Sequence, residues 1–381
     1  MTAKAGDPES MSPNPTPEPA TRVAGLDAIR FVAAVVVVLH HISPLPAALA
    51  GGPVGLALRM LFNGPAAVMV FFVISGFVIH HPYVTRPLGN PIPFWAQRWI
   101  RIALPALVMT LLTMRFHFLG VYPPWVGFHV QSLGEGRGFE DFSGLMWSLV
   151  AESIYYGLYP LLRPIAGRLG WGGIATLALI PTLALLAWQP RALLFNHFTH
   201  WMAWILGLPA WLAGCALAES LARKGATRPS RLHSVMAWRA AVVVGALATS
   251  VLKEHPLASL PQIGYPWTLQ PFALLVVGWL RAEVLPLRAD PGALGAWLER
   301  GGKWSYSIYL AHMAGLSLWI TLVGGYDLPS APWLGVLLRT AGVFGVCFAF
   351  FLIVERPGWQ LARWTGRRLR AALEPVPLAT A

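Results

Sequence analysis

Charge is scarce in this chain of 381 residues: Asp, Glu, Lys and Arg make up 12% of it, against 56% hydrophobic side chains. A soluble globular domain carries about 25% charge, so an ordinary water-soluble fold is excluded. Cysteine is scarcer still. Cys215 and Cys347 each lie in an apolar run, with neither metal-ligand spacing nor a disulfide context. Both read as small core residues, and no metal is expected. Nothing before the first apolar run resembles the apolar core and small-residue cleavage site of a secretory leader. Pro13, Pro15, Pro17 and Pro19 alternate there, and residues 1–24 read as a disordered cytoplasmic tail. No internal repeat is evident. Acidic residues are the minority, 16 against 28 Lys and Arg, for a net charge of +12. In a soluble protein that would suggest nucleic acid. Here the basic residues sit in short loops between apolar runs, the positive-inside pattern of a bilayer protein, and no nucleic-acid partner is expected.

Long apolar runs fill the rest. Ten are long enough, or nearly so, to cross about 30 Å of hydrocarbon: 26–43, 63–81, 99–118, 144–162, 171–188, 198–220, 236–252, 266–282, 303–323 and 333–354. The expectation is an all-α polytopic membrane protein of about ten transmembrane helices, with a transmembrane domain over 25–357 and a basic cytoplasmic tail over 358–381. An even count puts both termini on one side. With the N-terminus inside, tails and inner loops hold 21 of the 28 Lys and Arg and outer loops hold five, Arg30 and Arg339 lying within spans. That bias puts both termini in the cytoplasm. Pro357 is expected to stop the last span. Arg363, Arg367, Arg368 and Arg370 beyond it would meet anionic lipid.

The first span, LDAIRFVAAVVVVLHH, sets the functional question. Arg30 and His41 are eleven positions apart, so on a helix they share a face, roughly 16 Å apart along the axis. His40 is turned about 80° off that line. An arginine and a histidine on one intramembrane stripe mark a candidate site. Arg98 and Arg101, three apart at the start of the third span, share a face. They suit lipid headgroups, topology, or the phosphates of a nucleotide-containing donor such as coenzyme A. Ser148, Glu152 and Tyr156 line one stripe of the fourth span at i, i+4 and i+8. Glu152 is costly there unless paired, hydrated or protonated. It is either a partner for a buried arginine or a residue that orients a catalytic histidine. Ser305, Tyr309 and His312 form a polar stripe in the ninth span. His312 is either a satisfied core histidine or part of that site. Ser75 and Gly76 allow close helix packing, His80 and His81 read as interfacial, and Trp188, Trp201, Trp204, Trp211 and Trp267 as belt and packing residues. The loop 221–239 reads as basic, cytoplasmic and exposed.

Taken together and in order, these pieces resemble acyltransferase family 3. Arg30 and His41, with Leu26 and Asp27 ahead of them, match the family's arginine, ten residues, histidine signature. FFVISGF at 71–77 is similar to its second-span motif, Arg98 and Arg101 to its Arg-x-x-Arg pair, WSLVAESIYY at 147–156 to its Trp-Ser-Leu…Glu…Tyr motif, SYSIYLAH at 305–312 to its late motif, and Glu355-Arg356-Pro357 to its closing one. Ala28 stands where glycine is common and Phe31 where a small residue is common, which bears on packing beside Arg30. The extracellular hydrolase-like domain fused to some members has no counterpart here.

The resemblance implies transfer of an acyl group, acetyl above all, from acetyl-coenzyme A or another acyl-coenzyme A to a hydroxyl of a cell-envelope or exported glycan or glycoside, in a bacterial inner membrane. His41 would be catalytic, either as general base or as transient acyl carrier. Glu152 would orient or polarise an imidazole. Arg30 would contact the donor or stabilise charge on the thioester oxygen. Arg98, Arg101, Ser75, Tyr309 and His312 would surround the donor, and Trp147, Ser148 and Tyr156 the acceptor. The rival readings are a proton-coupled transporter using the buried Arg, His and Glu, which lacks an inverted repeat or paired broken helices, and a scaffold, which leaves those residues unexplained.

Overall fold

The computed structural model describes residues 23, 25–118, 140–198, 200–223, 232–254, 261–284 and 292–373. The expectations for the proline-rich tail, for the centre of the basic loop 221–239 and for the last eight residues of the chain lie outside them. Among the described residues the regular structure is helical, with no strand. The order is α1 (Leu26–His41), α2 (Ala47–Ala50), α3 (Pro53–Leu61), α4 (Gly64–His80), α5 (Pro91–Phe118), α6 (Glu140–Trp188), α7 (His200–Arg223), α8 (Leu232–Glu254), α9 (Tyr265–Val284), α10 (Gly292–Gly302), α11 (Ser305–Val323), α12 (Pro332–Phe350) and α13 (Arg356–Leu373).

Each of the ten predicted runs falls on helix, the fourth and fifth sharing α6, which breaks at Gly170 with φ 72° and ψ 156°. By length and apolar composition six segments qualify to cross a membrane: Pro53–Tyr83, Trp147–Trp188, Met202–Arg223, His233–Glu254, Ser305–Val323 and Pro332–Leu373. The first predicted run misses because α1 has only 16 residues. Pro357 does not stop the chain's last helix. α12 passes through a π-helical turn, Phe351–Glu355, straight into α13. The π-helical turn just before Pro357, in which the Arg356 amide bonds to the Phe351 carbonyl, lets the helix continue past the proline ring.

The bundle is apolar outside and polar within. Ile180, Leu337 and Ile353 are 65%, 65% and 73% exposed, whereas Ser148, His312, Arg339 and Glu355 are buried. That inversion is what hydrocarbon demands. α4 lies at the centre, buried on nearly every face. It meets α7 backbone to backbone. A Cβ on Gly76 would lie 1.8 Å from the Trp211 carbonyl oxygen, and one on Gly214 2.0 Å from that of Val73. Glycine here removes the side chain that would hold the helices apart. α10 packs as closely on α1, where a Cβ on Gly302 would lie 2.0 Å from the Asp27 carbonyl oxygen. The bulky Phe31 is accommodated on this face. Gly301 leaves room for its ring, which also packs edge-on against Trp297 at 5.3 Å.

Beyond the C-terminal end of α1, Arg339 fixes the turn. It is fully buried. Its guanidinium donates to Asp327 Oδ1 and the Tyr326 carbonyl at 2.8 Å each, and to the Ser43 carbonyl at 2.8 Å. The Tyr326 ring lies 3.7 Å from it. Asp327 in turn accepts from the Ala47 amide at 2.6 Å.

Candidate functional site

Two elements bring three guanidinium-bearing positions to one cleft. α1 supplies Arg30 and α5 supplies Arg98 and Arg101, whose three-residue spacing keeps both on one side of the helix. They line an inner pocket of about 40 Å³ together with Ile102 of α5, Ser75, Val78 and Ile79 of α4, Glu152 and Tyr156 of α6, and Tyr306 of α11. A wider mouth of about 420 Å³ adjoins it, sharing Arg30, Val78, Arg98 and Arg101. Asp27 stands 3.9 Å from Arg30.

Glu152 is the carboxylate at the inner end. It accepts from Ser75 Oγ at 2.7 Å and from Tyr156 Oη at 2.5 Å. Trp211 Nε1 donates to Ser75 Oγ at 3.3 Å. These hydroxyls solvate the carboxylate inside the bundle, which answers the cost of burying it. The expected imidazole partner is not what Glu152 holds. Its hydrogen bonds go to hydroxyls, and it faces the arginine pocket. The physical reason is helical phase: the Ser75 and Tyr156 hydroxyls reach the carboxylate from α4 and from one turn further along α6.

One turn before Glu152, Ser148 Oγ lies 2.6 Å from Tyr309 Oη, both buried. Tyr309 leads to His312, whose ring centroid is 6.4 Å away, and His312 to His41 at 5.2 Å. His41 bonds through Nδ1 to the Val37 carbonyl at 2.9 Å. A carbonyl only accepts, so Nδ1 carries the proton, and in the neutral ring Nε2 is the basic nitrogen. His312 is held likewise, by the Tyr309 carbonyl at 2.8 Å, and its buried Nε2 has no hydrogen-bond partner. His40, turned off the line as its phase predicts, meets the Phe62 carbonyl at 2.8 Å. His41 is exposed, His312 fully buried. No group of three or more metal-capable side chains occurs among the described residues.

The predicted site residues thus fall into two linked clusters. Arg30, Arg98, Arg101, Ser75, Glu152 and Tyr156 surround the arginine pocket. His41, His312, Tyr309 and Ser148 gather at the other end of α1. Arg30 stands with the other arginines, roughly 16 Å of helix from His41, and not beside the imidazole. Tyr309 and His312, expected around the donor with Arg98 and Arg101, belong to the histidine end. Trp147 stacks on Phe195 at 4.7 Å and packs against Phe72. His80 is buried rather than interfacial, bonded to Tyr159 Oη at 3.0 Å and packed on Trp171. His81 stacks on Phe77 and lines the mouth. Glu355 of the closing motif, fully buried, accepts from the Ser307 amide at 3.0 Å and from its hydroxyl, tying that motif to the late one. Sequence reasoning missed Tyr306, Trp211 and the α13 residues at the mouth. Only α13 left a signal, its amphipathic basic pattern.

An apolar-surfaced helical bundle with a charged pocket and a polar line inside is an integral membrane protein with an internal site. The particular kind follows from comparison with known proteins. The model of an acyltransferase domain matches residues 23–352, and the chain belongs to acyltransferase family 3. It is also 28% identical over 398 residues to the acyltransferase MdmB of Streptomyces mycarofaciens, covering 95% of this chain and 97% of that protein. No solved structure matches it.

Proposed function

We propose that this acyltransferase moves an acyl group, acetyl in the simplest case, from a cytoplasmic acyl-coenzyme A to a hydroxyl of a cell-envelope or exported glycan or a glycoside. The observation that carries the reading is the polar line from the three arginines through Glu152 and Ser148 to His41. Guanidinium groups match phosphate oxygens, so Arg30, Arg98 and Arg101 hold the donor's phosphates. The pantetheine arm is about as long as four to five extended residues, roughly 15 Å, which reaches along α1 towards the imidazole. The positive-inside bias sets the arginine end in the cytoplasm, with ten spans and both termini inside. The exposed His41 then faces an acceptor arriving from the other side of a bacterial inner membrane.

His41 Nε2 takes the proton of the acceptor hydroxyl as its oxygen attacks the thioester carbonyl carbon. The new C–O ester bond forms, the C–S bond breaks, and the thiolate leaves with the proton returned by the imidazolium. His312, Tyr309 and Ser148 shape the pocket around the thioester. Trp147 and Tyr156 contribute to binding.

The test is release of free coenzyme A from acetyl-coenzyme A by detergent-purified protein, wild type beside His41→Ala, with a panel of hydroxylated glycans and glycosides. Acceptor-dependent release lost in the variant, with donor binding kept, is expected. Full turnover by the folded variant overturns the role of His41. Failure of the wild type to bind any acyl-coenzyme A overturns the donor.

A further inference from the structure

The wide mouth of the arginine pocket has a wall outside the matched domain. Trp359, Ala362 and Arg363 of α13 line it, facing Asp27 and Arg30 of α1, His81 and Gln97, Arg98 and Arg101 of α5. The family model ends at residue 352. α13 is seated firmly there. Its small residues Gly358, Ala362 and Gly366 are buried, a Cβ on Gly366 would lie 3.3 Å from Gln97, and Arg370 donates to Gln97 Oε1 at 3.0 Å.

Two features of the mouth indicate an acceptor-rich anionic occupant. Its charged lining is four arginines, Arg30, Arg98, Arg101 and Arg363, against the one carboxylate of Asp27. Two of its lining groups are buried donors without a partner, Arg30 Nε and Trp359 Nε1. Buried donors of this kind are normally satisfied, and both residues line the mouth. The Trp359 ring also lies 5.1 Å from the Arg101 guanidinium, a cation–π contact that helps hold that side chain over the pocket. The basic residues of α13 divide: Arg363 lines the mouth, whereas Arg356, Arg367, Arg368 and Arg370 do not.

We propose that α13 is the outer wall of the donor site, with Arg363 and the Trp359 indole N–H binding the phosphates of the donor nucleotide. This rests on the acyl-coenzyme A reading above. It turns a segment that reads from sequence as a lipid-facing tail into part of the binding site.

The full chain, purified in a neutral detergent, is titrated with unacylated coenzyme A, for wild type, Arg363→Ala, Trp359→Phe and Arg367→Ala. Arg363→Ala is expected to weaken binding about tenfold, the size of a charge-assisted contact, and to flatten the dependence on salt. Trp359→Phe keeps the ring over Arg101 and removes the N–H, and a loss of about threefold or more is expected. Arg367→Ala should bind as wild type. Phosphatidylglycerol added in micelles separates a lipid headgroup from the nucleotide. Retention of coenzyme A binding in its presence is expected, and displacement by it at low mole fraction overturns the proposal. Unchanged binding in Arg363→Ala and Trp359→Phe overturns the proposal and leaves the donor reading intact. Absence of coenzyme A binding by wild type overturns both.

Discussion

At the level of single residues the site depends on how each polar atom is occupied. Glu152 sits inside the bundle because Ser75 and Tyr156 both donate to it. Removing one donor leaves a half-buried carboxylate under-solvated, a cost of about 1 kcal/mol, the low end of the range for a fully buried group. Ser75→Ala and Tyr156→Phe should therefore each lower the thermal midpoint of the detergent-solubilised protein, and Tyr156→Phe should also slow acyl transfer. Unchanged melting in both variants would show that water replaces the lost hydroxyls. His41 answers differently. Its Nδ1 is engaged by Val37, so His41→Gln, which has no imidazole lone pair, should drop the rate by about two to four orders of magnitude, as expected for a lost general base. Coenzyme A affinity should stay within about twofold in that variant, since His41 lies roughly 16 Å from Arg30; equilibrium titration beside the rate assay checks both halves.

Elements meet through glycine at a few points, and those points carry the packing. Gly76→Ala sets a methyl group against the Trp211 carbonyl, 1.8 Å from an ideal Cβ. Overpacking of this kind costs about 1–3 kcal/mol or more. Gly342, with nothing within 4 Å of its Cβ position, is the control: Gly342→Ala should be neutral or slightly stabilising in a helix. Thermal unfolding of the two variants side by side decides whether the α4–α7 approach is as tight as described. Arg339 is an element-scale residue too, since it joins the chain after α1 to the segment before α12 through Ser43, Tyr326 and Asp327. Arg339→Ala leaves a partly buried carboxylate and the carbonyls of Tyr326, Ser43 and Leu45 without their donor and should cost about 3–5 kcal/mol, as for a broken buried pair. Arg339→Lys should rescue little, because an ammonium cannot span those acceptors as the planar fork does. Susceptibility of the 43–50 segment to limited proteolysis reports the loosening directly.

For the whole molecule the prediction concerns the sense in which the bundle crosses the bilayer. Single cysteines placed at Arg59 and at Arg363, in a background with Cys215 and Cys347 replaced by Ala, test it. With both termini cytoplasmic, the cysteine at Arg59 should react with an impermeant maleimide in intact cells, and the one at Arg363 only in inverted vesicles. The reverse pattern would move the arginine pocket to the outer face and remove its access to a cytoplasmic donor.

The sequence by itself determined the class and most of the helices. Scarce charge and long apolar runs dictate a helical membrane fold, because only internally bonded backbone survives in hydrocarbon. The eleven-residue spacing of Arg30 and His41, and the stripe through Ser148, Glu152 and Tyr156, follow from the fixed pitch of a helix. Only the tertiary structure decided which stripes face one another. It gave Glu152 to hydroxyls of α4 and α6 rather than to an imidazole, set Arg30 with Arg98 and Arg101, drew His80 into an aromatic core, and carried the chain past Pro357 into a helix that walls the pocket. Periodicity fixes the face of a residue on its own helix, while the partner of that face is set by helix-to-helix packing, by glycines such as Gly76 and Gly214 whose close approaches bring distant segments together.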